Sequence, residues 1–179
     1  MRKLNILLVA GMLVTFLIHA IMGSLQLMGT ASDAHKTVGF VLLVLICCHV
    51  LVSGILTVKT LIARKLSGAG YFKENALFWA RRISGLTIVF PLIMHLVIFK
   101  ASNADAYRLQ EFTTGRLISQ ILLVAALALH ILINVRPALI AFGIKGLKAY
   151  AADILVVLSI LLLLIAAAFV IYYLRWMAL

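Results

Sequence analysis

The chain has 179 residues, of which 65% are hydrophobic and only 12% are charged, and its formal net charge is +11. A soluble domain has about 45–50% apolar and about 25% charged residues, so this composition excludes a soluble globular enzyme, a disordered chain and a disulfide scaffold. The length is better divided by the roughly 20 residues that a membrane-spanning helix needs, which leaves room for five spans joined by short loops.

The apolar runs predict an all-α integral membrane protein in which residues 1–179 form a single five-helix bundle. The first run is too long for a signal peptide, so we expect a retained first helix. Helices are required, because lipid offers the backbone no other hydrogen-bond partners. The predicted spans cover about residues 4–28, 38–61, 83–99, 117–135 and 151–174.

Basic residues cluster at the ends of these runs and set the expected orientation. Eleven of the 16 lysines and arginines fall on the side of the amino terminus, and five fall on the other side. We therefore expect a multi-pass protein of the cell inner (cytoplasmic) membrane, with the amino terminus in the cytoplasm and the carboxyl terminus outside. The basic residues form no stripe with interleaved aromatics, so we expect no nucleic-acid partner.

Four histidines lie well inside the first four spans, one in each: His19, His49, His95 and His130. Ionisable residues inside a bilayer are expensive and usually functional. A single one could be explained by a hydrogen bond between helices, but four in successive helices indicate a shared purpose.

The helical rise places these histidines at two depths. Measured from the nearest basic residue on the cytoplasmic side of its span, His49 lies about 15 Å deep and His130 about 9 Å deep. His19 lies about 24 Å deep and His95 about 20 Å deep. The first two form an inner tier and the last two an outer tier, about 10 Å apart.

Two stacked histidine pairs on different helices fit two six-coordinate haems in a bundle core, since neutral imidazole binds iron and bundle cores are common cofactor sites. Zinc would need further ligands, and no cluster of intramembrane acids or cysteines supplies them. The candidate iron ligands are therefore His19 and His95 for an outer haem, and His49 and His130 for an inner haem.

His35 and the two cysteines are not expected to be metal ligands. His35 lies fourteen residues before the second-span histidine, on nearly the same helix face, but beside Asp33 and Lys36. We expect an interfacial histidine, or one near an outer propionate, rather than a ligand. Cys47 and Cys48 have no metal-site spacing and are expected to be buried structural thiols.

Two arginines lie near the expected inner haem, Arg82 at the cytoplasmic end of span three and Arg136 at that of span four. The guanidinium group binds carboxylates through its fork of donors, so both are candidates to hold haem propionates. The alternative for Arg82 is a topology anchor alone.

Two short motifs resemble the cytochrome b membrane subunits of succinate dehydrogenases and fumarate reductases. Arg82-Ile83-Ser84-Gly85, within WARRISGL, resembles the R-x-S-G signature of that family. The stretch from His130 to Arg136, followed by PALIAFG, resembles its H-x5-R stretch. The layout is similar to the diheme branch, which has five helices in one chain and a haem-ligating histidine on each of the first four.

The resemblance implies that the first helix shares a haem with the third and the second with the fourth. It implies two haem b groups, with Arg82 near a propionate or the quinone and Ser84 bonded to the quinone. The partners it implies are cytoplasmic flavoprotein and iron–sulfur subunits, which this chain would anchor while passing electrons between them and membrane quinone.

The chain contains no flavin, nucleotide or dicarboxylate motif, so we expect a non-catalytic electron-transfer subunit with no catalytic residues of its own. One alternative is a cytochrome b of a different respiratory or reductase complex. Another is a non-haem transporter or structural bundle, in which the histidines could relay protons.

Overall fold

The computed structural model describes residues 2–30, 36–67, 75–99, 111–143 and 147–179. Within these ranges five helices are long and apolar enough to cross a membrane, which confirms the predicted all-α membrane fold. They are α1 (Arg2–Met28), α2 (Lys36–Ser67), α3 (Ala76–Ile98), α4 (Thr114–Ala141) and α5 (Leu147–Met177).

The helices extend beyond most ends of the apolar runs that predict them. Helix α3 begins at Ala76 rather than Ile83, and α2 continues to Ser67. Helical backbone hydrogen bonding can continue past the apolar run into the headgroup region of a bilayer, where aromatic and basic side chains are well placed. The segment 62–82, predicted to be a loop, is therefore helical at both ends, and its residues 68–74 lie outside the described ranges.

The helices are arranged as neighbours in the order α2, α1, α5, α4, α3. Helices α2 and α3 stand at the two ends of this row, and Arg82 on α3 donates a 2.7 Å hydrogen bond from Nε to Oγ1 of Thr57 on α2. The row therefore curves, so that α1 and α2 face α3 and α4 across an interior. Within the described ranges α1 does not pack closely on α3, nor α2 on α4.

The buried apolar core lies where α1, α3 and α5 end, which we call the C-terminal end of the bundle. We call the opposite end, where α1 begins, the N-terminal end. The core joins Leu27, Ile98, Phe112, Phe169 and Tyr172. Large apolar side chains elsewhere cover the outside of the bundle, as a surface in contact with lipid requires.

The thiols of Cys47 and Cys48 are on this outer surface, so the prediction that they are buried is wrong. Lipid is as apolar as the interior of the bundle, and a thiol therefore gains little by facing inward.

Candidate functional site

His19 on α1 and His95 on α3 face each other across the interior of the bundle. Their ring centroids lie 6.2 Å apart, with the ring planes at 79°. Two imidazole nitrogens bound on opposite sides of one metal at about 2.0–2.1 Å each lie about 4 Å apart, which puts the ring centroids about 6 Å apart. The separation of His19 and His95 is therefore compatible with two imidazoles that share one metal ion.

Gln120 on α4 lies against His95. Its Oε1 is 2.8 Å from Nδ1 of the imidazole, and the glutamine side chain is fully buried. Metal-ligating histidines commonly donate the other ring N–H to an oxygen of this kind. The contact leaves Nε2 of His95 as the nitrogen that can bind a metal.

Aromatic rings cover His95 on the side of the C-terminal end. Phe99, one turn along α3, lies 5.0 Å from the imidazole between centroids, and Phe169 on α5 lies 6.3 Å away. Phe112 and Tyr172 pack on these rings and are fully buried. The cluster surrounds His95 with apolar rings at this end of the bundle.

His49 on α2 and His130 on α4 form the second pair, nearer the N-terminal end. The two imidazoles lie close enough to interact electrostatically, and Arg82 lies close enough to interact with both. Nδ1 of His49 is buried and has no hydrogen-bond partner among the described residues. The pair therefore has both an uncommitted nitrogen and a nearby cation.

The R-x-S-G segment of α3 lies against His130. Ser84 is 2% exposed, and its Oγ lies 3.1 Å from Nδ1 of the imidazole. The same hydroxyl contacts the carbonyl oxygen of Arg81 at 3.2 Å. On α4 itself, Asn134 donates from Nδ2 to the backbone oxygen of His130 at 2.8 Å, which ties the amide to this turn.

Glycines on neighbouring helices lie beside two of the imidazoles, and one of them makes room for its imidazole. A Cβ on Gly85 of α3 would lie 3.3 Å from Cε1 of His130, closer than side chains usually approach. A Cβ on Gly39 of α2 would lie 3.5 Å from Cε1 of His19. The motif glycine therefore has a steric role beside His130.

Arg136 is the one predicted site residue that no described contact links to the histidines. Arg136 is exposed near the end of α4 and forms no hydrogen bond or ion pair with another described residue. His35 and the segment 100–110, part of the loop expected on the outer surface, lie outside the described ranges.

Several residues that contact the histidines or Arg82 were not predicted from the sequence, among them Gln120, Gly39 and Thr57. Gln120 carried a usable signal, because an amide within an apolar run needs a buried partner. Gly39 and Thr57 carried none, since glycine and threonine are common in membrane helices for plain packing.

The histidines come together as pairs, and in the described parts of the chain no three His, Cys, Asp or Glu side chains converge on one point. Comparisons with protein-family models, with curated proteins and with solved structures found no match for this chain.

Proposed function

We propose that the chain is a diheme membrane cytochrome b, with His19 and His95 holding one haem and His49 and His130 holding the other. The observation that carries the proposal is the 6.2 Å separation of the His19 and His95 rings. A bare zinc ion takes about four ligands, more than a pair can offer. A haem would arrive with its iron already held by the porphyrin ring, so that a pair of histidines would be enough to bind it.

Bound haem would supply a one-electron couple, and the four histidines and nearby charge would set its potential. Arg82 is the best-placed residue to hold a propionate, because it interacts with both histidines of the second pair. Arg136 is the second candidate at that end of the bundle. The hydroxyl of Ser84 contacts His130, which supports a role beside that ligand in preference to a bond to quinone.

The larger role in this proposal is electron transfer between membrane quinone and a cytoplasmic flavoprotein with an iron–sulfur subunit, which the chain anchors. Its support is the resemblance of the R-x-S-G and H-x5-R motifs to succinate dehydrogenase and fumarate reductase anchors. The serine and glycine of R-x-S-G both lie against His130, so the motif packs around one of the proposed haem ligands.

Reduced-minus-oxidised absorption spectra of the purified protein test the haem proposal. We expect a b-type band and two haems per chain, with none in a chain carrying both His19→Ala and His49→Ala. Absence of the band from a folded wild-type protein would refute the haem proposal and favour the non-haem bundle.

Purification of the native complex from its membrane tests the partner. A co-purifying flavoprotein and iron–sulfur subunit would support the anchor role. A haem-containing chain with a different partner would instead identify a cytochrome b of another respiratory or reductase complex.

A further inference from the structure

A relay of hydrogen bonds leads from the backbone of α4 to the imidazole of His95. Ser119 donates its hydroxyl proton to the carbonyl oxygen of Arg116 at 2.7 Å. Gln120 then donates from Nε2 to the hydroxyl oxygen of Ser119 at 3.0 Å, and its Oε1 faces Nδ1 of His95 at 2.8 Å.

In each hydrogen bond of this relay, the preceding bond determines which group donates. The hydroxyl of Ser119 has a single proton, and a backbone carbonyl can only accept it. Its oxygen must therefore receive the amide N–H of Gln120, which leaves the amide oxygen facing His95. An oxygen of this kind accepts only, so Nδ1 of His95 carries the proton and Nε2 carries the lone pair.

We infer that Gln120 is a positioning residue that holds His95 in the Nδ1–H tautomer and sets the basicity of Nε2. The complete burial of the Gln120 side chain gives its polar atoms no solvent to turn to. The assignment of the tautomer stands on these contacts alone, whereas its consequence for a redox potential rests on the proposed function.

The consequence is a potential that follows the strength of the acceptor. A stronger acceptor at Nδ1 makes the ligand more electron-rich and favours the ferric state, whereas a missing acceptor has the opposite effect. Gln120→Glu keeps the shape of the side chain and replaces the amide with a carboxylate. Gln120→Met keeps most of the volume and removes the acceptor.

Redox titration of the purified wild-type, Gln120→Glu and Gln120→Met proteins tests the inference. We expect Glu to lower and Met to raise one midpoint potential, each by about tenfold in the reduction equilibrium, which is about 59 mV for one electron. The shifted transition must be the one that His95→Ala removes. Ser84→Ala serves as the matched comparison and acts on the other transition.

Two results would overturn the inference: both folded variants leaving that transition unmoved, or both moving it in the same direction, as altered packing would. If Gln120→Met fails to fold, the sign of the shift in Gln120→Glu decides.

If the wild-type chain folds and binds no haem, the proposed function fails and the tautomer is still measurable. Nitrogen-15 NMR of histidine-labelled protein then reports it directly. We expect Nδ1–H at His95 in the wild type and its loss in Gln120→Met, and an Nε2–H tautomer in the wild type would refute the inference.

Discussion

The hydroxyl of Ser84 on α3 lies 3.1 Å from Nδ1 of His130 on α4, while Gln120 on α4 holds His95 on α3. The two helices thus orient each other's histidine. The Ser84 hydroxyl contacts the carbonyl oxygen of Arg81, and the Gln120 amide donates to the hydroxyl of Ser119. In both cases the oxygen is the atom that faces the histidine. The most closely packed helix pair in the bundle therefore carries one fixed ligand for each proposed haem.

Ser84→Ala removes the hydroxyl that lies against Nδ1 of His130. We expect haem affinity at the His49–His130 site to fall by about 10–100-fold, the usual effect of removing a partner of a metal-ligating histidine. Haem titration of the purified variant measures it. Thr87→Val is the control, because the Thr87 hydroxyl bonds the backbone oxygen of Ser84 and, within the described ranges, no histidine. Equal losses in both variants, or a loss at the other site, would count against this role.

The pairing of the histidines predicts which substitutions act alike. His49→Ala and His130→Ala should each remove the same haem, and His19→Ala and His95→Ala should each remove the other. Every single variant should keep about half of the wild-type haem, with one of two redox transitions left. If His49→Ala and His130→Ala removed different transitions, the histidines would be paired wrongly.

The level of each histidine along the bundle could be predicted from the sequence, because the rise along a helix is fixed and the basic residues at the ends of the apolar runs give a common reference. Depth alone separated His19 and His95 from His49 and His130. The structure brings His19 to His95 and His49 near His130.

Contacts between helices could not be predicted, because they depend on how each helix is rotated about its axis. A soluble helix reveals its buried face by its polar face, but a membrane helix is apolar all round. This explains both the outward-facing Cys47 and Cys48 and the unpredicted contact of Gln120 with His95.

Gly85→Ala tests whether the motif glycine makes room for His130. The added methyl carbon would lie 3.3 Å from Cε1 of the imidazole, so the ring must shift and haem binding at this site should weaken. Overpacking of this kind typically costs about 1–3 kcal/mol. Haem content, read from the absorption spectrum, is the proper measurement. Unfolding stability would also include the gain of about 0.5–1 kcal/mol that alanine gives a helix relative to glycine.

Gly11→Ala is the control for that substitution, since its methyl carbon meets Leu45 at an ordinary 3.7 Å. We expect both haems to be retained in Gly11→Ala. Unchanged haem content in Gly85→Ala as well would show that the imidazole of His130 can shift without loss of haem.

The orientation of the chain is predicted from its basic residues and can be measured with single cysteines. In a background carrying Cys47→Ala and Cys48→Ala, we place one cysteine by Lys3→Cys or by Leu179→Cys. A membrane-impermeant maleimide added to intact cells should label the second variant and spare the first. The reverse pattern would place the proposed partner-binding end outside the cell.

The end of α1 depends on an arginine from α5. Gly29 takes a φ of +84°, and the chain turns there through hydrogen bonds from Gly29 N to Gln26 O and from Thr30 N to Leu25 O. Arg175 donates from Nη1 to the carbonyl oxygen of Leu27, in the same last turn of α1, at 2.6 Å. A Cβ on Gly29 would lie 2.7 Å from the guanidinium carbon, so a side chain there must displace Arg175.

Gly29→Ala should therefore destabilise the bundle more than Gly143→Ala does. Both glycines have positive φ, and alanine in that conformation costs about 1–2 kcal/mol, but a Cβ on Gly143 would meet nothing within 4 Å. The additional cost at Gly29 is the lost hydrogen bond from a charged donor, about 1.5–3 kcal/mol. Reversible unfolding in detergent measures both variants. Because Arg175→Ala removes the same bond, the excess should disappear in the double variant, and an excess that persists would mean that strain at Gly29, rather than Arg175, is responsible.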